Sequence, residues 1–210
     1  MIHPIEAESY RILAGRVDLD RWSPLSRAVV ARVIHASADV GYADTLVIDE
    51  GACAAGLAAI EVGAPVIADV EMVTVATRRA GTRCLLADGR VLQAQLKEAE
   101  PQLTVSAAAM RVAAEVCPIG AVVVVGNAPT ALAEVVRLVQ AGRFAPAFVI
   151  GLPVGFVGAA EAKAALRSCG LPSISNVGER GGSAVAAAAL NALWRLRHTG
   201  ATSQAVGGPG

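Results

Sequence analysis

Five short runs rich in β-branched residues constrain this chain most: PVIAD at 65–69, TRCLL at 82–86, AVVVVG at 121–126, PAFVIG at 146–151 and PSISNV at 172–177. They are close to continuous in apolar character rather than alternating, the mark of strands buried on both faces. Between them lie segments of helical period. Leu132, Val135, Val136 and Val139 fall at i, i+3, i+4 and i+7 and form one apolar stripe. Buried strands alternating with amphipathic helices predict a parallel sheet covered by helices on both sides.

The expected fold is α/β: a flavodoxin-like three-layer α/β/α arrangement with a mainly parallel five-stranded sheet. The N-terminal third differs, with two helices at 5–16 and 24–36 ahead of the sheet, Ser23 as N-cap and Pro24 in the first helical position. Apolar residues make up 54% of the chain but aromatics only 3%, so Ala, Val and Leu must fill the core. Residues 1–198 read as one domain, and the Gly-rich polar tail 199–210 is expected to be disordered.

Lys plus Arg and Asp plus Glu are equal at 18 each, which argues against a nucleic-acid binder with its excess of phosphate-neutralising cations. Four cysteines stand singly at 53, 84, 117 and 169, with no CxxC pair and no histidines at zinc-ligand spacing, so no metal site is expected. That usage fits a reduced compartment. The N-terminus has no apolar h-region. The longest apolar stretch, 145–160, is interrupted by two prolines and three glycines, unlike a membrane span. A soluble cytoplasmic protein is expected.

In a doubly wound sheet, ligands bind beyond the carboxyl ends of the strands. Three loops leave strand ends there: GNAPT at 126–130, GLPVGFVG at 151–158 and GERGGS at 178–183. Asn127 is expected to cap the following helix, and free N–H groups at such a helix start can hold a carboxylate. Asn127 and Thr130, with Arg180, Gly181 and Gly182 from the third loop, are the candidate ligand contacts. Ordinary turn chemistry would need the same residues. Glycines 151, 155 and 158 do not match GxGxxG, and no GK[ST] follows. Lys163, just beyond, is expected to solvate its helix, though it could reach an anionic ligand.

His35 is the most informative titratable residue. It sits near the end of the second helix, with Arg32 one turn earlier and therefore expected on the same face. A neighbouring cation favours the neutral imidazole and keeps it available for proton exchange. Periodicity alone favours the commoner case, a histidine hydrogen-bonded near a helix end. His3 and His198 read as surface residues.

Together these segments resemble the precorrin-8X methylmutase family. The ordered matches are IEAESYRIL at 5–13, RVIHASADVGYAD at 32–44, PVIADVEMV at 65–73, SAAAMRVAAE at 106–115, GNAPTALAEV at 126–135, GLPVGFVGAAEAKAAL at 151–166 and GERGGSAVAAAALNAL at 178–193. The resemblance implies a flavodoxin-like fold and a homodimer with active sites near the subunit interface. It implies an isomerase of cobalamin biosynthesis that converts precorrin-8X to hydrogenobyrinate, or cobalt-precorrin-8 to cobyrinate. It makes His35 the acid/base and Ser9 and Arg32 substrate contacts, with a corrinoid as the partner and no protein-bound cofactor. One departure stands out: the family pattern TRS reads Thr104-Val105-Ser106 here, so a basic residue is missing. Arg78, Arg79 or Arg111 could supply the contact. A methyl shift along a conjugated ring needs no nucleophile, redox group or methyl donor, only a proton at the right place and a held macrocycle. The competing reading is a carrier that holds a tetrapyrrole intermediate without converting it.

Overall fold

The computed structural model describes residues 3–197. Two helices come first: α1 (Pro4–Ala14) and α2 (Pro24–Ser37), followed by the single turn α3 (Tyr42–Thr45). A six-stranded sheet then builds from β1 (Leu46–Val47), β2 (Val66–Ala68), β3 (Arg83–Cys84), β4 (Val122–Val125), β5 (Phe148–Gly151) and β6 (Ser173–Asn176). The connecting helices are α4 (Glu50–Glu61), α5 (Glu71–Ala76), α6 (Leu86–Gln95), α7 (Val105–Val116), α8 (Pro129–Gln140) and α9 (Ala159–Ser168), and α10 (Ser183–Leu196) closes the fold.

The sheet order is β1-β6-β5-β4-β2-β3. Strands β2 to β6 coincide with the five runs singled out in the sequence, and all pair in parallel. Numbered among themselves they run 2-1-3-4-5, the flavodoxin-like order. The strand count is corrected from five to six: β1 pairs antiparallel with β6 on the outer edge, Leu46 opposite Asn176. Two residues carry no periodicity, so this edge strand left no sequence signal.

Side chains alternate across the central strands. Val122, Val124, Phe148 and Ile150 pack with α2, α4 and α10. Val123, Val125 and Val149 pack with α7, α8 and α9 through Met110, Leu132 and Leu166. The helix stripe of α8 holds, with Leu132, Val135 and Val136 buried and Val139 packed at its edge. Gly56 shows why small residues matter: a Cβ there would stand 2.7 Å from the Phe148 ring, so only glycine lets α4 approach β5 this closely. On this face α2 packs on α10, and α1 lies on α2. The expected N-terminal helices thus form an extra layer. The tail 199–210 and His198 lie outside the described residues.

Candidate active site

The site begins with how α1 and α2 are started. His3 caps α1, its Nδ1 accepting from the Ile5 N–H at 3.2 Å, with Pro4 next. Ser23 occupies the N-cap position of α2 but makes no side-chain cap hydrogen bond. Glu50 does that work from α4, accepting from the Leu25 and Ser26 N–H groups at 3.0 and 2.9 Å and from the Ser26 hydroxyl at 2.9 Å. A carboxylate at this end also complements the helix dipole. Helix α2 ends at Ala38, whose φ of 53° makes it the one non-glycine residue with positive φ among those described. Ending the helix there turns the chain back immediately after His35.

His35 and Ser9 meet across α1 and α2, Ser9 Oγ lying 2.8 Å from His35 Nδ1. Tyr10 stacks on the imidazole, ring centroids 4.9 Å apart and planes at 15°. One ring nitrogen is therefore engaged and one face covered, and Nε2 has no hydrogen-bond partner among the described residues. Ser9 and His35 border a cavity of about 330 Å³ with mainly apolar walls: Ile5, Ile12, Leu13, Ile34, Ala38 and Val40, with Glu8 and Arg16 also lining it. Ile5 is 75% exposed, an apolar side chain left facing solvent at the cavity edge.

Arg32 does not join this cavity, which corrects the expectation that it shares His35's face. Its Nη1 donates to Glu6 at 2.8 Å and to the Tyr10 hydroxyl at 3.4 Å. Tyr10 thus touches both residues and stands between them. Arg32 lines a neighbouring cavity of about 290 Å³ with Arg78, Arg79, Asn191 and Arg195. Glu6 bridges Arg32 and Arg195, and Arg195, ahead of Arg32, holds its carboxyl below the usual carboxylate range. Arg32 Nε is buried without a partner, and no ion pair engages Arg78 or Arg79 among the described residues. Among the described residues four guanidinium groups line this pocket and no carboxylate does; Glu6, which pairs with two of them, lines the adjoining cavity with Tyr10.

The strand-end loops are more self-contained than the sequence suggested. Asp69, fully buried after β2, accepts the N–H groups of Gly126, Asn127 and Ala128 at 3.0, 2.8 and 2.7 Å. The carboxylate held by that loop is the chain's own, and burial still pushes the Asp69 carboxyl up. Ala128, not Asn127, holds the cap position of α8, leaving the Asn127 side chain exposed. Thr130 Oγ1 lies 2.8 Å from Thr104 Oγ1. In the third loop Gly182 donates its N–H to Leu152 O at 2.8 Å. Gly181 sits so close to the Leu152 carbonyl that a Cβ would come within 2.3 Å. Arg180 pairs with Asp39, and with the Gly41 N–H this holds the Asp39 carboxyl below its ordinary value. Lys163 departs furthest from expectation, since it is fully buried rather than solvated.

The precorrin-8X methylmutase family model matches residues 4–196, nearly all of the described chain. The chain belongs to the precorrin-8X methylmutase family. A cobalt-precorrin-8 methylmutase of Methanocaldococcus jannaschii is 38% identical over 182 residues, 87% of this chain and 84% of that protein. A precorrin-8X methylmutase of Pseudomonas aeruginosa is 45% identical over 174 residues, 79% of this chain and 81% of its own. The crystal structure of precorrin-8x methyl mutase from Thermus thermophilus superposes with a TM-score of 0.79 at 38% identity, covering 94% of this chain and 99% of that one.

The departure at Val105 can now be placed in this methylmutase fold. Val105 opens α7, directly after Thr104, whose hydroxyl caps the helix by accepting the Ala107 N–H at 3.2 Å. Arg111, one candidate replacement, is held bidentately by Glu100 at 2.8 and 2.6 Å and by Glu134 at 2.7 Å. It is committed to that network. Arg78 and Arg79 remain. Sequence reasoning missed Tyr10 as the partition between His35 and Arg32, and Asp69 as the filler of the first loop. Asp69 did carry a signal, an acid at the carboxyl end of a fully buried strand. Among the described residues no three His, Cys, Asp or Glu side chains gather as metal ligands. No described helix is long and apolar enough to cross a membrane.

Proposed function

We propose that His35 is the acid/base of the methyl shift, working in the groove between α1 and α2. The chain is an isomerase of cobalamin biosynthesis, an intramolecular methyl transferase. Its substrate is precorrin-8X, converted to hydrogenobyrinate, or cobalt-precorrin-8, converted to cobyrinate. The observation that carries the assignment is the 2.8 Å contact between His35 Nδ1 and Ser9 Oγ beside an apolar groove. With Nδ1 engaged by Ser9 and one ring face covered by Tyr10, Nε2 is left to exchange a proton with a ring nitrogen of the macrocycle. Protonation there draws electrons from the neighbouring carbon and eases migration of the methyl group along the conjugated system. The same histidine then takes the proton back, so no net acid or base is consumed.

The macrocycle is flat and apolar with carboxylates around its rim. Apolar walls such as Ile5, Ile12 and Val40 suit its face, and guanidinium groups suit its arms. Ser9 contacts the substrate beside His35, and Arg32 holds an arm from the arginine-lined cavity, helped by Arg78 and Arg79. The Asn127 side chain, Thr130 and the Arg180–Gly181–Gly182 turn are the further contacts from the strand-end loops. A cavity of about 330 Å³ encloses one edge of such a macrocycle rather than the whole. The remaining wall comes from a second copy, making the working unit a homodimer. The setting is cytoplasmic.

The test is a visible absorption scan of the purified protein mixed with precorrin-8X. Appearance of the hydrogenobyrinate spectrum, lost in His35→Ala, is expected. A bound but unconverted pigment would instead favour the carrier reading, or the cobalt-containing substrate, which the same scan with cobalt-precorrin-8 separates. Unchanged turnover in His35→Ala would remove the acid/base assignment.

A further inference from the structure

Lys163 on α9 is fully buried, yet no carboxylate pairs with it among the described residues. Its Nζ donates to Asn176 Oδ1 at 3.0 Å and to the main-chain carbonyl of Arg180 at 2.7 Å. Asn176 Nδ2 donates to that same carbonyl at 2.8 Å. A buried ammonium with only neutral partners is costly. Here two buried donors fix one carbonyl, and the residue so fixed sends its guanidinium across to Asp39. Asp39 also accepts the Gly41 N–H at 2.9 Å, and a Cβ on Gly41 would stand 2.7 Å from Arg180 Nη1. Asp39 is flanked by Ala38 and Val40, which both line the His35 cavity. The contacts therefore run without a break from the interior of α9 to the wall beside His35.

We propose that Lys163 is a positioning residue for the methyl shift: with Asn176 it fixes Arg180, and Arg180 through Asp39 sets the Ala38–Val40 wall of the His35 groove. This rests on the reading of that groove as the substrate site. Desolvation brings the Lys163 ammonium down to about 8, Arg167 on the same helix adds to the fall, and Glu179 after β6 opposes it. Strand β6 brings no ionisable side chain. On α8, Glu134 and Arg137 are already paired with one another. The charged Nζ donates to its two acceptors more strongly than the neutral amine does. The hold on the Arg180 carbonyl therefore weakens as the lysine loses its charge, even though burial makes the neutral form the less costly one to fold.

The experiment compares wild type, Lys163→Met, Asp39→Asn and the double variant in steady-state turnover of precorrin-8X, across pH values either side of 8. Misplacing a reacting geometry by about 1 Å costs about 100-fold, so kcat is expected to fall about 10- to 100-fold in Lys163→Met with KM little changed. The alkaline limb of the wild-type profile should vanish in that variant. Asp39→Asn should show a similar loss, and the double variant should be no worse than either single one. Wild-type kcat in Lys163→Met, or losses that multiply in the double variant, would overturn the proposal. If Lys163→Met does not fold, Asn176→Asp serves instead, because a carboxylate beside Nζ raises the lysine pKa and should carry the alkaline limb upward. A limb that stays in place overturns it equally. No conversion by the wild-type protein would strike the reading of the groove itself, before any variant is considered.

Discussion

At the scale of single residues, the proposed chemistry reduces to one imidazole and the groups that aim it. Removing it in His35→Ala should cut kcat about 10²- to 10⁴-fold, the usual contribution of a general acid/base. Ser9→Ala should cost less, about tenfold, since a neutral hydrogen bond contributes about 0.5–1.5 kcal/mol. Equal losses in the two variants, read by single-turnover absorbance, would mean Ser9 does more than orient the ring. Arg78→Gln and Arg79→Gln should each raise KM about 5- to 100-fold with kcat held, the signature of lost uniform binding of a charged arm. A fall in kcat with unchanged KM would place them elsewhere in the cycle. His35 could be singled out from the sequence because a histidine in the last turn of a helix, followed by a reversal, is a local pattern. The separation of Arg32 from it could not. That depends on where α1 crosses α2 and on Tyr10 reaching both residues, which spacing along one helix does not encode.

At the scale of elements, close approach is written in small residues. Gly56→Ala drives a methyl group into the Phe148 ring across a 2.7 Å gap and should lower stability by about 1–3 kcal/mol, measured by urea unfolding. A neutral result would mean α4 can move away from the sheet freely. The five parallel strands and the α8 stripe were legible because each carries its own periodicity. Strand β1 was not, being two residues long and defined only by pairing with β6. Asn127 illustrates another limit. Its type and position suit an N-cap, but the helix starts one residue later, behind Ala128, and Asp69, 58 residues earlier, gathers the N–H groups of the loop. Lys163 likewise looked like a surface residue in a small-residue helix, and only the packing of α9 on β6 encloses it. Its linkage has a definite sign. The folded pKa of about 8 lies below an unfolded value of about 10.4, so its contribution to stability is present above the latter and lost as pH falls through the former. Unfolding free energies of wild type relative to Lys163→Met should therefore rise between those two pH values, and a flat difference would contradict the buried, charged lysine.

At the scale of the molecule, a doubly wound parallel sheet followed from the alternation of buried strands and helices, whereas the stacking of α2 on α10, with α1 outside it, did not. Nothing in the N-terminal helices announces a partner near the other end of the chain. The proposed homodimer makes a direct prediction: sedimentation should give twice the 21.3 kDa of one chain. A fully active monomer would show that the groove needs no second copy. The joining of the two ends also bears on synthesis. Asp39 and Arg180 are 141 residues apart, and α2 rests on α10. At about 5–20 residues per second, the ribosome leaves the segment bearing His35 without its counterpart for on the order of ten seconds. During that interval the apolar side of α2 is bare, and a prematurely terminated chain would carry the histidine and its α1 partners on a helix with nothing beneath it. The helix that bears the proposed acid/base thus gains its support only once α10 has been translated.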